Sequence, residues 1–190
     1  MSLAAMEPRQ WQKPGFLVST DKKLLSIPSI NSAFGLDIIY WTHPVPEDVL
    51  KNIIDNSFCL GLYELVSKQN VTKNASITEI RGCDLKQIGF ARLVGDGVTF
   101  AYFTDLYVLP EYQGLQLGGW VIDCIGEVLN DMPYLRWAML RTSMEMSQIA
   151  YEKRLGMEVL RSGDIKDGPV MMGRRGKAWG SLTCILDPYT

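Results

Sequence analysis

The run Gln113-Gly-Leu-Gln-Leu-Gly-Gly119 follows an apolar, β-branched stretch that ends at Pro110 and leads at once into an apolar helical stripe. A strand that delivers its end to a glycine-rich turn and then a helix leaves backbone N–H groups, and the positive end of a helix dipole, free to hold a phosphate. No Gly-Lys-Ser/Thr follows, so this is not a Walker loop, and the glycines lack the GxGxxG spacing of a dinucleotide fold. Taken alone, the run reads equally well as a structural turn. Other reactive groups are sparse. Cys59, Cys83, Cys124 and Cys184 form no CxxC pair and have only His43 as an imidazole companion, so neither a zinc site nor a disulfide framework is expected. Cys124 falls on the apolar helical stripe, where packing rather than nucleophilic attack is the expectation.

These groups must be carried by one domain of ordinary size, since the chain has 190 residues, 47% apolar and 21% charged. A formal charge of −2 provides no global field for phosphate backbones, which argues against nucleic acid and membrane surfaces as partners. The first residues contain no apolar signal core and nowhere do about 18 apolar residues run together, so the expected compartment is the cytoplasm. The triplets at Asn70 and Asn74 match a glycosylation pattern that has meaning only in a secreted chain.

Along the chain, residues 1–15 read as a leader marked by Pro and Gly, and Phe16 to Thr20 as the first strand. Ser26 as cap, Pro28 near the first turn and Gly35 at the stop predict a short helix. In PEDVLKNIIDNS, Val49, Leu50, Ile53 and Ile54 share a helical face. FCLGLYEL and QIGFARLV form a strand pair around a polar loop at 67–86, the Gly95-Asp-Gly97 turn follows, and a long strand closes at Pro110. Trp120, Val121, Cys124, Ile125, Val128 and Leu129 make the next helical stripe. Leu135 to Leu140 is strand-like, a helix ends at Gly156, and MEVL is a last short strand. The order β, α, α, β, β, β, α, β, α, β is mixed α/β with antiparallel hairpins and one crossover. Residues 161–190 form an extension expected to pack on the same domain.

The wider string DLYVLPEYQGLQLGGW resembles the acetyl-CoA-binding motif of the GNAT superfamily: an apolar strand, V-x-P, then Q/R-x-x-G-x-G/A. SFCLGLYE, IGFARLV, FAYFTDLYVLPEYQG and YEKRLGM follow in the family's order, so the resemblance covers roughly Phe16 to Leu160. It implies a GNAT fold over 16–160, a splayed and mostly antiparallel central sheet flanked by helices, whose fourth and fifth strands separate to admit a pantetheine arm. It further implies acetyl-CoA as co-substrate, with no metal, and transfer of its acetyl group to a primary amine. The backbone of Leu106, Tyr107 and Val108 would pair with the arm. The turn begun by Gln113 would offer the pyrophosphate the N–H groups of Gly114, Leu115, Gln116, Leu117, Gly118 and Gly119. Tyr151 matches the family's usual general acid. Three positions depart from the pattern: Gln116 replaces the middle glycine, Met144 stands where relatives have an asparagine, and one extra residue separates Tyr151 from Gly156. A side chain at Gln116 would crowd the phosphates or demand a dihedral that glycine adopts freely.

Acyl transfer to an amine needs a neutral nucleophile, a donor for the oxyanion and a proton for the thiolate. Asp105 is the nearest base, with fixing a bulge or turn as its structural alternative. Val108 N–H is the expected oxyanion donor. Periodicity alone would make Tyr151 a core residue. Tyr40 and Trp41 lie where relatives line the acceptor cleft and would pack an apolar amine or cradle a cation, with core packing an equal reading. His43, before Pro44, reads as a loop histidine, and Arg174, Arg175 and Lys177 as a solvated run. The competing functions are a silent acyl-CoA sensor and a transferase for longer acyl chains. A homodimer is compatible with the sequence.

Overall fold

A computed structural model describes residues 7–66, 84–160, 164–168 and 170–175. In chain order its elements are β1 (Gln10–Lys13), β2 (Phe16–Ser19), α1 (Ile27–Phe34), α2 (Glu47–Asp55), β3 (Phe58–Leu65), β4 (Leu85–Val94), β5 (Phe100–Val108), α3 (Leu117–Asn130), β6 (Trp137–Thr142), α4 (Glu145–Leu155), β7 (Glu158–Val159) and β8 (Val170–Arg175). The strands make one sheet in the order β1-β2-β3-β4-β5-β6-β8-β7, in which only β5 and β6 run parallel. The mixed α/β fold, a mostly antiparallel sheet between helices, is the one expected.

Both faces of the sheet are covered, which is why β3 and β4 read as nearly continuous apolar runs rather than alternating ones. On one face Cys59, Phe90 and Tyr107 meet Ile30 and Phe34 of α1 and Leu50 and Ile54 of α2. On the other, Leu60, Leu62 and Ile88 pack with Val121, Ile125 and Val128 of α3. The helix signals act as anticipated: the Ser26 hydroxyl accepts from Ser29 N–H at 3.3 Å, and Gly156, at φ 62, ends α4. Val49, expected on the buried face of α2, is 42% exposed.

Two strands were not anticipated. Short, polar β1 lies within residues 1–15, and side chains in and beside it reach α3: Arg9 donates to Asp131 and Trp11 Nε1 to Glu127, each at 2.7 Å, while Lys13 Nζ sits 4.9 Å from the Trp120 ring centroid. β8 pairs with β6 from Trp137↔Arg175 to Thr142↔Val170. Arg174, expected in a solvated run, instead donates to Asn130 Oδ1 at 2.6 Å and to the Leu155 carbonyl at 3.2 Å. Most of the polar loop (67–83), with Cys83 and the Asn70 and Asn74 triplets, lies outside the described residues, as do Lys177 and Cys184. No helix among the described residues is long and apolar enough to cross a membrane.

Candidate functional site

The site exists because β5 outruns one of its neighbours. Its parallel pairing with β6 stops at Phe103↔Leu140, whereas its pairing with β4 continues to Val108↔Gly89. From Thr104 onward one edge of β5 is therefore open, and a cleft of about 840 Å³ occupies the gap. The Leu109 N–H donates to Ile88 O at 2.8 Å. Strand alternation then turns the N–H and carbonyl of Val108 toward the open edge. The carbonyl is already taken by Gln113 Nε2 at 3.2 Å, so the N–H is what Val108 offers a ligand.

The divergence coincides with a bulge. Arg92 faces Thr104 and Phe90 faces Tyr107, which leaves one residue too many on β5. Asp105 occupies this position at φ 55. Its carboxylate is 8% exposed and paired with Arg92 Nε, whose Nη1 donates to Ser57 Oγ at 3.1 Å. The Thr104 hydroxyl donates to the other carboxylate oxygen at 3.2 Å. Asp105 thus holds the bulge, its structural reading, and also lines the cleft.

Beyond β5, the Pro110–Tyr112 turn is tied down by the Tyr112 hydroxyl, which donates to Glu64 at 2.6 Å and accepts from Lys86 Nζ at 2.9 Å. Gly114 takes φ 82, and Gln116 becomes the left-handed cap of α3 at φ 58. The unfavourable dihedral foreseen for Gln116 is present, but its side chain is exposed rather than folded over the helix end. Since Trp120 N–H is the first to reach a carbonyl of the turn, that of Gln116, the N–H groups of Leu117, Gly118 and Gly119 are left for an outside acceptor. A Cβ placed on Gly118 would meet only Val108 Cγ2, at 3.8 Å, so the helix opens beside the end of β5 with free space at that glycine. These features suit a pyrophosphate and the arm attached to it.

Opposite this helix end, the connection from α1 to α2 carries Tyr40 and Trp41 into the cleft. Buried Ile39 anchors it, and the Asn31 side chain clasps Val45 through Nδ2 to the carbonyl at 2.7 Å and the N–H to Oδ1 at 3.0 Å. Tyr40 and Trp41 stand edge to face at 5.3 Å and are half exposed, which favours the lining reading over core. The Tyr40 hydroxyl hydrogen-bonds Ser143, joining the two banks of the cleft. His43 is exposed and does not line it.

Tyr151 faces the same cleft, with its ring edge-on to Phe103 at 5.7 Å. Burial pushes its hydroxyl up to about 12, so it stays protonated across the physiological range. The extra residue before Gly156 is absorbed without a break, for α4 is helical from Glu145 to Leu155. Met144 lines the cleft from the cap of α4 and is exposed. Cys59 and Cys124 are buried and pushed up to about 12, chiefly by desolvation, which leaves them inert as nucleophiles.

The structure therefore brings Asp105, Leu106, Tyr107, Val108, Gln113, Tyr40, Trp41 and Tyr151 around one cleft, while Gly114 to Gly119 form the turn and helix start beside it. Sequence reasoning missed Arg92, Tyr102, Thr104, Arg141 and Ser143, which also line it. Alternation along β5 could have found Tyr102 and Thr104, but nothing local marks Arg141 or Ser143. Among the described residues no three His, Cys, Asp or Glu side chains gather as a metal site would require.

A candidate acetyltransferase of Gibberella zeae is 37% identical over 158 residues, covering 83% of this chain and 88% of that protein. The solved structure of a candidate GNAT-family acetyltransferase from Xanthomonas campestris pv. campestris matches with a TM-score of 0.55 and 28% identity, over 75% of this chain and 85% of that one. A GNAT-family acetyltransferase from Elizabethkingia anophelis, solved with acetyl-CoA bound, shares the fold at a TM-score of 0.52 and 10% identity, over 86% and 99% of the two chains. No protein-family model matches the chain.

Proposed function

The chain belongs to the GNAT acetyltransferase superfamily, and we propose that it is an N-acetyltransferase that moves the acetyl group of acetyl-CoA directly to a primary amine. The observation that carries this reading is the open edge of β5 beside the unpaired N–H groups of α3, with Tyr151 in the same cleft. The thioester supplies an activated acyl group, and every other task falls to the protein.

Leu106 and Val108, whose main-chain groups alternate toward the open edge, receive the pantetheine arm as an added strand, whereas Tyr107, expected to join them, is paired with Phe90 of β4. The turn from Gln113 to Gly119 holds the pyrophosphate. The acceptor enters between Tyr40, Trp41 and the bulge. It must be neutral to attack, and an alkyl amine with a pKa near 10.4 is mostly protonated at neutral pH. Asp105 takes the proton through water, for each of its oxygens has lone-pair capacity beyond the bonds from Arg92 and Thr104. The Val108 N–H supports the oxyanion, a role that a backbone donor fills without reorganising. Tyr151 serves the departing sulfur. A hydroxyl at about 12 facing a thiol near 8.5 makes complete proton transfer uphill, so the hydroxyl acts first as a hydrogen-bond donor to the developing thiolate.

Thermal melting with and without acetyl-CoA, followed by thiol release with a panel of amines, tests the reading. Saturating acetyl-CoA is expected to raise Tm, because it binds only the folded chain. An unchanged melting curve and a flat calorimetric trace would defeat it, and binding without turnover of any amine would make the chain an acyl-CoA sensor.

A further inference from the structure

We infer that the acceptor is a small aromatic amine bearing a carboxylate, of the α-amino acid type, and that Arg141 binds the carboxylate; this rests on the N-acetyltransferase reading above. The charge inventory of the cleft is the starting point. Among the described residues, Arg92, Asp105 and Arg141 are its charged side chains. Arg92 and Asp105 cancel each other in a mostly buried pair. Arg141, exposed at the end of β6, belongs to none of the ion pairs formed among the described residues. The cleft therefore carries one uncommitted charge, and it is positive.

A polyamine would meet no free carboxylate here and would be repelled by Arg141, whereas a carboxylate gains a planar two-pronged donor. The remaining lining is aromatic: Tyr40 and Trp41 stand edge to face, with Tyr102 on β5. Such rings suit a flat apolar body. The size of the acceptor follows from the other contacts. The hydrogen bond from Tyr40 to Ser143 ties the α1–α2 connection to the β6–α4 connection, so the two banks are bridged where a polypeptide would need an uninterrupted groove. The volume of about 840 Å³ must also admit the pantetheine arm, which leaves room for one small molecule. In the reaction the amine nitrogen bonds to the acyl carbon, the carbon–sulfur bond breaks, the amine proton leaves and the sulfur gains one, giving an N-acetyl amino acid and free thiol.

The test measures kcat/KM with acetyl-CoA for L-phenylalanine, phenethylamine, spermidine and a hexapeptide with a free N-terminus, with acetyl-CoA binding followed by calorimetry. Phenylalanine is expected to lead phenethylamine by about tenfold, the worth of one charge-assisted contact at a partly exposed site. Arg141→Gln should erase that ratio, and Arg141→Lys should restore part of it. Preference for phenethylamine, spermidine or the hexapeptide, or a ratio indifferent to Arg141→Gln, would overturn the inference and leave the transferase reading standing. Binding of acetyl-CoA without turnover of any of the four overturns the transferase reading and the inference with it.

Discussion

On the α3 side of the opening in β5, the groups offered to a ligand are main-chain N–H groups, exposed by glycines and by the start of a helix. On the α1 and α2 side they are side chains brought from four separate stretches: Tyr40 and Trp41, Arg92, Thr104 with Asp105, and Arg141 with Ser143. The first flank can hold a phosphate whatever its neighbours are, since the peptide group supplies the chemistry. The second is specific, because its exposed members Tyr40, Trp41 and Arg141 could be exchanged with little effect on the fold, while the mostly buried Arg92–Asp105 pair holds the bulge. One flank is thus suited to a ligand shared across a family, and the other to a ligand that differs from member to member.

The sharpest way to break that division is at Tyr151, which stands between the flanks. Tyr151→Phe keeps the ring against Phe103 and should leave acetyl-CoA affinity unchanged while turnover falls by about 10²- to 10⁴-fold, as loss of a positioned acid does. Full turnover with a rate-limiting chemical step would make Tyr151 a packing residue. A pH measurement sharpens the point. The folded hydroxyl holds its proton to about 12 and an unfolded tyrosine only to about 10, so between these values the unfolded state binds fewer protons and stability falls as pH rises. Wild type should lose more stability than Tyr151→Phe across that window in urea titrations, and equal losses would show that the hydroxyl is solvated.

At the bulge, Asp105→Asn leaves the Arg92 guanidinium, 20% exposed, without its counter-charge. A loss of about 3 kcal/mol in urea unfolding is expected, typical of half a buried pair. Activity lost at unchanged stability would instead give Asp105 a purely chemical role.

Gly118→Ala probes the backbone flank with opposed signs. The new methyl meets only Val108 at 3.8 Å, so stability should hold or rise by up to about 1 kcal/mol, while acetyl-CoA affinity measured by calorimetry should fall by about tenfold. The smallest effect is expected at Gln116. Its left-handed φ costs roughly 1 to 2 kcal/mol in a residue with a Cβ, and glycine returns part of that as unfolded-state entropy. Gln116→Gly should therefore stabilise by about 0.5 to 1 kcal/mol in thermal melts and preserve or tighten acetyl-CoA binding. A clear loss of affinity would mean that the amide side chain itself touches the ligand.

The same contrast explains what could be read from the sequence. The turn at 113–119 is contiguous, and glycine reports backbone geometry directly, so the turn and the helix start behind it were legible. Tyr151 was legible only through its spacing from Gly156, because a tyrosine facing a cleft and one facing a core share the same helical period. Asp105 was singled out with both its readings, but its partner Arg92 was not, since the pairing depends on a bulge that shifts the register. Arg141 and Ser143 become neighbours of Tyr40 only once β6 and the α1–α2 connection are in place. β1 escaped notice for a related reason: QWQK has no strand alternation, and side chains reaching α3 help hold it.

β8 adds a constraint on the order of assembly. β6 touches β5 over only four residue pairs, while its other edge is paired along its whole length by β8, some 30 residues later in the chain. During synthesis the sheet from β1 to β5 can form as soon as it emerges, but the far wall of the cleft has little to hold it until Arg175 has left the ribosome. Such long-range pairing is slow to close. A nascent chain halted before β8 would carry the glycine turn at 113–119 complete and the Arg141 wall unformed, so the main-chain flank of the cleft is in place before its side-chain flank.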